Sequence, residues 1–200
     1  EIKKSFSKKR LGTCLINICA GGETLLGESV LPTVRTLLEE GHFVTLVTNG
    51  TMTKRFDEII TWDKVLLSHL FIKFSFHYLE LMRLNKMDDF FETVNMVKEA
   101  GCSYTVELTS CDELEEHIED MKKIVVERVG ANLQVTVPRD GSDKSFPLLS
   151  RHTKEEYNKI WKSFDSPMFD FKMSVWGEKR IEYCLSLIHI SEPTRHSLIS

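Results

Sequence analysis

The chain has 200 residues, which is long enough for one domain with a hydrophobic core. Its hydrophobic fraction of 42%, its charged fraction of 28% and its net charge of −4 are typical of a globular protein that does not bind nucleic acid. No apolar run approaches the length of a membrane span and no secretory signal opens the sequence, so we expect no membrane partner.

The sequence contains five cysteines, an odd number at irregular spacing: Cys14, Cys19, Cys102, Cys111 and Cys184. This arrangement does not indicate a disulfide framework, which usually pairs an even number of cysteines in a secreted protein. We therefore predict a reducing, cytoplasmic location.

The two ends of the sequence differ from its middle. Residues 1–13 are polar and predict a linker, and residues 14–176 predict the globular core. Residues 185–200 resemble a translated sequencing adapter, so the fold prediction leaves them out. The alternative is a genuine short amphipathic tail.

Five short β-type runs follow one another along the chain, with centres roughly 30 residues apart, which is the length of one strand-helix unit. The runs are Cys14–Cys19, Phe43–Val47, Leu70–Phe76, Tyr104–Leu108 and Leu133–Val137. Because the run from Cys14 to Ala20 is apolar and partly β-branched, it predicts a buried strand.

Helical patterns separate these strands. The predicted helices cover Val30–Glu40, Met87–Ala100, Asp112–Val129 and Lys154–Phe164. Gly41 and Gly101 follow the first two patterns as plausible helix ends. Such alternation predicts a parallel sheet with right-handed crossovers, either open or closed into a barrel, and ligands then bind where the strands end.

The end of the first strand carries Gly21, Gly22 and Glu23. In one interpretation the two glycines expose backbone groups to a ligand, and Glu23 accepts a charge-assisted hydrogen bond from an ammonium group. In the other, the three residues form a tight turn and Glu23 is solvated. The pattern alone favours neither.

The next strand ends are also rich in polar or small residues. Thr48–Thr51 (TNGT) is either good turn chemistry or part of a site. Ser75 and His77 alternate, so they point to the same face at the end of the third strand. Glu107 lies inside the fourth strand, where it points either into a barrel interior or outwards to a helix, and we favour an inward position with a partner. The fifth ending, PRDG, favours a turn over a functional role.

The order of these endings resembles the radical SAM superfamily. The resemblance rests on CLINICAGGETLL, FVTLVTNGT and FIKFSFH, and it covers about Cys14 to Asp140. It implies a partial (β/α)6 TIM-type barrel of parallel strands that binds S-adenosylmethionine (AdoMet) and a 4Fe–4S cluster. Reductive cleavage of AdoMet then yields a 5′-deoxyadenosyl radical, which abstracts hydrogen from a substrate.

The resemblance also implies roles for individual residues. The glycine-glycine-glutamate motif falls on Gly21, Gly22 and Glu23, and Thr24 stands where many members have proline. The ribose-contacting polar residue falls on Ser75. The full set of implied cofactor-binding residues is Gly21, Gly22, Glu23, Thr24, Asn49, Ser75, His77 and Glu107. No residue is assigned to hydrogen abstraction itself.

The family's CxxxCxxC cluster loop does not occur in this sequence. In the family that loop precedes the glycine-glycine-glutamate motif, so we expect the first β/α unit to be missing and the chain as written to be inactive. Near the other end, residues 177–184 resemble the start of an auxiliary-cluster region of the SPASM or twitch type, with Cys184 as a candidate ligand.

The expected partners are a small-molecule or peptide substrate and a one-electron reductant such as flavodoxin or ferredoxin. A second hypothesis is a binding module or pseudoenzyme that keeps the barrel without the cluster. A third is a different (β/α)-barrel enzyme with phosphate or metal chemistry, for which His77, Glu107 and Asp112 are the candidate ligands.

Overall fold

The computed structural model describes residues 1–140, 142 and 147–175. Within this part of the chain the strands are β1 (Leu15–Ile18), β2 (Phe43–Thr48), β3 (Leu70–Ser75), β4 (Ser103–Thr109) and β5 (Gln134–Thr136). They form one sheet in the order β1-β2-β3-β4-β5, with parallel strands. The α/β class with parallel strands, as in a partial TIM-type barrel, is therefore confirmed.

The helices of the described residues alternate with these strands, as predicted. The α-helices are α1 (Ile2–Ser5), α2 (Lys8–Leu11), α3 (Val30–Glu39), α4 (Thr53–Ile59), α5 (Lys64–His69), α6 (Tyr78–Arg83), α7 (Met87–Glu99), α8 (Ile118–Val129), α9 (Lys154–Trp161) and α10 (Pro167–Ser174). Short 3₁₀ helices cover Thr24–Leu26, Asp112–His117 and Lys162–Phe164. None of the helices in the described ranges combines the length and apolar character needed to cross a bilayer.

The chain divides into two compact units. The first comprises residues 1–109 and 116–134, and the second comprises residues 110–115 and the chain from Val135 onward. The boundary thus passes through β5, between Gln134 and Val135.

The core of the first unit lies on one face of its sheet. Alternate residues of β3, including Ile72 and Phe74, are fully buried there. The ring centroid of Phe74 lies 5.7 Å from that of Phe56 on α4 and 5.9 Å from that of Phe90 on α7. Helices α4 and α7 therefore cover this face with aromatic side chains, and such pairs add to the free energy gained by burial.

The other face of the same sheet is only partly covered within the first unit. It carries Lys73 and Ser75 on β3 and Glu107 on β4, all half-buried. The period of two along a strand accounts for this division into an apolar and a polar face.

β1 is not the buried strand that its apolar sequence predicts. Leu15 is 72% exposed, and the other residues of β1 are exposed or half-buried. The reason is position, because β1 lies at the end of the strand order and its described pairing is with β2.

Residues 1–13, predicted as a linker, include helices α1 and α2. Buried His42 connects this segment to the sheet. Its Nε2 lies 2.5 Å from the Phe6 carbonyl oxygen, and its Nδ1 accepts a 3.1 Å hydrogen bond from the Cys14 N–H. The segment is therefore attached to the first unit.

The second unit is held together around α9. This helix begins with a capping box, in which Thr153 and Glu156 bond reciprocally through side chain and backbone. The Tyr157 hydroxyl, fully buried, donates a 2.8 Å hydrogen bond to the Ser110 carbonyl. The predictions for Cys184 and for residues 177–200 lie outside the described residues.

Candidate functional site

Glu23 begins the 3₁₀ turn Thr24–Leu26 that follows β1. Its Oε1 accepts a 2.9 Å hydrogen bond from the Leu25 N–H, so the carboxylate caps this turn. Thr24 and Leu25 are buried, which holds the turn against the first unit. This buried turn therefore holds the half-buried Glu23 carboxylate near the end of β1.

The same carboxylate reaches across to the exit of β2. Its Oε1 accepts a 2.8 Å hydrogen bond from the Thr48 hydroxyl, and its Oε2 accepts a 2.7 Å bond from the Asn49 N–H. Glu23 thus joins the glycine-glycine-glutamate motif to the threonine-asparagine-glycine motif. Sequence reasoning matched the second motif without a definite role, and it missed Thr48 as a partner of Glu23.

A cleft of about 420 Å³ opens at these strand ends. Its lining residues come from the exits of β1, β2 and β3: Ala20, Gly21, Gly22, Glu23, Thr24, Val47, Thr48, Asn49, Ser75 and His77. Seven of the eight residues predicted to bind cofactor lie here, and in the described part of the chain Glu107 is not among the lining residues. Their role in binding stays a prediction.

Ser75 and His77 come from the end of β3, beside β2. Ser75 is half-buried and His77 is exposed, and the His77 N–H donates a 3.2 Å hydrogen bond to the Ser75 carbonyl. Because parallel strands end at the same edge of a sheet, this pair and Glu23 line the same cleft. The predicted convergence of these strand ends is thus observed.

Glu107 has the partner that its position in a strand requires. Its Oε1 lies 2.9 Å from the Lys73 Nζ and accepts a 3.3 Å hydrogen bond from the Thr105 hydroxyl. Its side chain is 13% exposed, and Glu107 stands opposite Ser75 in the β3–β4 register. Sequence reasoning missed Lys73, although a lysine within the apolar strand LFIKFS is itself a signal of a buried partner.

The three glycines at the strand ends, Gly21, Gly22 and Gly50, differ in their backbone conformation and in the space available for a side chain. A Cβ at Gly21 or Gly22 would meet no atom within 4 Å, and neither has a positive φ. At Gly50 φ is +71°, and a Cβ would lie 2.9 Å from Phe90. Backbone and packing therefore require glycine at position 50, whereas Gly21 and Gly22 are exposed residues of the cleft lining where a Cβ would meet no protein atom.

The described cysteines do not form a cluster site. Cys14, Cys19, Cys102 and Cys111 are free thiols, and no three of them converge as metal ligands within the described residues. Burial raises the pKa of the Cys102 thiol to about 12, which opposes the thiolate form that binds metal. The residues present in the described chain therefore do not fit a 4Fe–4S cluster.

The group of potential metal ligands in the described ranges is Asp112, Glu115 and His152, all in the second unit. Of the set His77, Glu107 and Asp112, named for a metal-dependent barrel enzyme, His77 and Glu107 lie in the first unit and Asp112 lies in the second.

The groups around Asp112 already satisfy one another. Its carboxylate accepts 2.6 Å hydrogen bonds from the Ser150 hydroxyl and the Arg151 N–H, and Glu115 lies 2.6 Å from the His152 ring. Partial burial alone raises the pKa of the Asp112 carboxyl, but these donors hold that pKa below its usual value. The Arg151 guanidinium, 3.6 Å from Glu115, also opposes a cation here. We interpret this group as a set of hydrogen bonds and ion pairs that holds residues 150–152 to the turn at Asp112–Glu115.

The fold is a parallel α/β fold with a cleft at the carboxyl ends of its strands, which is where folds of this class bind their ligands. No family model and no curated protein matches the sequence.

Among solved structures, the chain is similar to Streptococcus suis SuiB, with a TM-score of 0.53 and 10% identity over 82% of this chain and 37% of SuiB. It is also similar to native anSMEcpe with bound AdoMet, with a TM-score of 0.51 and 17% identity over 85% of this chain and 49% of that one. Both are radical SAM enzymes, and these similarities show a shared fold. The chain spans less than half the length of either.

Proposed function

We propose that this chain forms the AdoMet-binding part of a radical SAM enzyme. The observation that carries the proposal is the position of the Glu23 carboxylate, held by Thr48 and Asn49 in a cleft that Ser75 also lines. The cleft volume of about 420 Å³ lies in the range of small-molecule pockets. The shared fold with AdoMet-bound anSMEcpe also supports the proposal that the cleft binds AdoMet.

Each lining residue has a proposed role in holding AdoMet. Gly22 and Glu23 bind the methionine ammonium, for which a carboxylate supplies a charge-assisted acceptor. Ser75 contacts the ribose. His77, which is exposed in the cleft, completes the cofactor shell or touches substrate. Glu107, whose carboxylate is paired with Lys73, is the other candidate for completing the cofactor shell or contacting substrate.

In the whole enzyme, the proposed chemistry is reductive cleavage of AdoMet to a 5′-deoxyadenosyl radical that abstracts hydrogen from a small-molecule or peptide substrate. Flavodoxin or ferredoxin is the proposed electron donor, in the cytoplasm. Because the described residues do not provide cluster ligands, the proposal for this chain itself is limited to AdoMet binding.

The test is AdoMet binding by isothermal titration calorimetry, with Glu23→Gln as the variant. The amide keeps the size of the side chain but removes its charge and replaces one acceptor oxygen with a donor, so we expect AdoMet affinity to fall by about tenfold or more. Glu28→Gln is the matched control, because Glu28 is an exposed acid a few residues further along the chain. An unmodified chain that does not bind AdoMet, or equal affinities for the two variants, would contradict the proposal.

The cluster-less binding module or pseudoenzyme is the second candidate, and both candidates are consistent with the cysteines of the described residues, which do not converge as metal ligands. It shares the cleft but not the radical chemistry. Sequencing the gene upstream of the codon for Glu1 separates the two candidates. A cysteine triad encoded there supports the enzyme, whereas a start codon beside Glu1 supports the module.

A further inference from the structure

Arg55 links α4 to the turn that carries Glu23. Its Nε donates a 3.0 Å hydrogen bond to the Leu25 carbonyl, and a terminal guanidinium nitrogen donates a 2.9 Å bond to the Gly27 carbonyl. The planar guanidinium holds its donors in a rigid fork, so these bonds set the orientation of the turn as well as its distance.

This link and the Glu23 carboxylate join the same parts of the chain in opposite directions. Glu23 reaches from the first strand exit to Thr48 and Asn49 at the second. Arg55, shortly after that second exit, reaches back to the residues that follow Glu23. The two links form a reciprocal clamp between the loops after β1 and β2.

We propose that Arg55 is a positioning residue that holds Glu23 in the cleft, an inference that rests on the proposed function. In the described chain Arg55 is not among the residues that line the cleft. It acts through the Leu25 and Gly27 carbonyls, and a lysine retains the charge but not the fork. The fork, rather than the charge, is the feature that positions Glu23.

The first measurement is amide hydrogen exchange without ligand, because the Leu25 and Asn49 N–H groups both donate to Glu23. In Arg55→Ala we expect these two amides to exchange about tenfold faster, while the amides of β3 keep their protection. A general loss of stability would instead raise exchange in β3 as well. Arg35→Ala is the matched control, since Arg35 is an exposed arginine that pairs with Glu39 on α3.

The second measurement is AdoMet affinity, with Arg55→Lys as the conservative variant and methylguanidinium as a chemical rescue of Arg55→Ala. We expect about tenfold weaker binding in both variants and partial recovery with methylguanidinium. If Arg55→Ala does not fold, Arg55→Lys carries both measurements.

The two ideas fail in different ways. Unchanged Leu25 and Asn49 exchange in the Arg55 variants overturns the positioning role, whatever the affinity for AdoMet. An Arg55→Lys variant with the AdoMet affinity and the amide exchange rates of the unmodified chain also overturns the positioning role, because the positive charge alone would then suffice. Failure of the unmodified chain to bind AdoMet overturns the proposed function.

Discussion

The carboxylate of Glu23 accepts hydrogen bonds from Leu25, Thr48 and Asn49. Bonds to a charged group contribute about 1.5–3 kcal/mol each, so this residue stabilises the site as well as offering its charge to a ligand. A carboxylate has about four acceptor positions, which leaves capacity for an ammonium donor. The same side chain therefore serves the structure of the cleft and its proposed chemistry.

Gly22→Ala tests whether the open space at this position is used by a ligand. Because the new Cβ meets no protein atom within 4 Å, we expect the thermal unfolding midpoint to stay the same. In the proposed site the methyl group crowds AdoMet and lowers its affinity by about tenfold. Calorimetric binding and thermal unfolding measure the two effects.

Gly27→Ala is a comparison variant in the same loop, because Gly27 also has a negative φ and does not line the cleft, but its new Cβ would lie 3.2 Å from a side-chain carbon of Val30. An AdoMet affinity that stays unchanged in Gly22→Ala would contradict a contact between ligand and position 22.

At the scale of single elements, the strands were predictable from short apolar runs. The longer helices were predictable because their apolar residues repeat with the helical period over several turns. β2, β3, β4, α3 and α7 lie within one or two residues of their predicted positions. The short helices α4, α5 and α6 were missed, since six or seven residues are too few to establish a period. Tertiary packing, rather than the local pattern, stabilises such short helices.

The turn between β2 and α4 depends on Gly50, which has a φ of +71°. We expect Gly50→Ala to lower the free energy of unfolding by about 2 kcal/mol or more, because a strained backbone and crowding against Phe90 add together. Urea denaturation measures this change.

Gly101→Ala is the matched control for that turn. Gly101 also has a positive φ, +79°, but a Cβ there meets no atom within 4 Å. We expect only the backbone cost, about 1 kcal/mol. Equal destabilisation of the two variants would show that the contact with Phe90 is unimportant.

At the scale of the whole molecule, the chain as written should bind AdoMet without holding a 4Fe–4S cluster. The sequence has no CxxxCxxC motif, and the cysteines of the described residues do not converge. After anaerobic reconstitution with iron and sulfide, we expect no cluster absorption and no stoichiometric iron on the gel-filtered chain. Cys19→Ser is the control for adventitious iron on an exposed thiol.

One stable cluster per chain in that experiment would show that the cysteines can come together. That result would contradict the prediction that the chain as written holds no cluster.

The sequence by itself determined the α/β class, the parallel direction of the strands and the strand ends at which polar residues cluster. The reason is that hydrophobic period and glycine placement are local properties. The sequence also predicted, on a resemblance of motifs, that Gly21, Gly22, Glu23 and Ser75 belong to one site, and these four residues line the same cleft.

Only the tertiary structure decided the partners of these residues. Glu23 meets Asn49 and Arg55 reaches Leu25 across more than twenty residues of sequence. Lys73 pairs with Glu107 because of the β3–β4 register. β1 is exposed because it lies at the end of the sheet. Such contacts depend on how separate elements align, and a pattern read along one stretch of chain carries no record of that alignment.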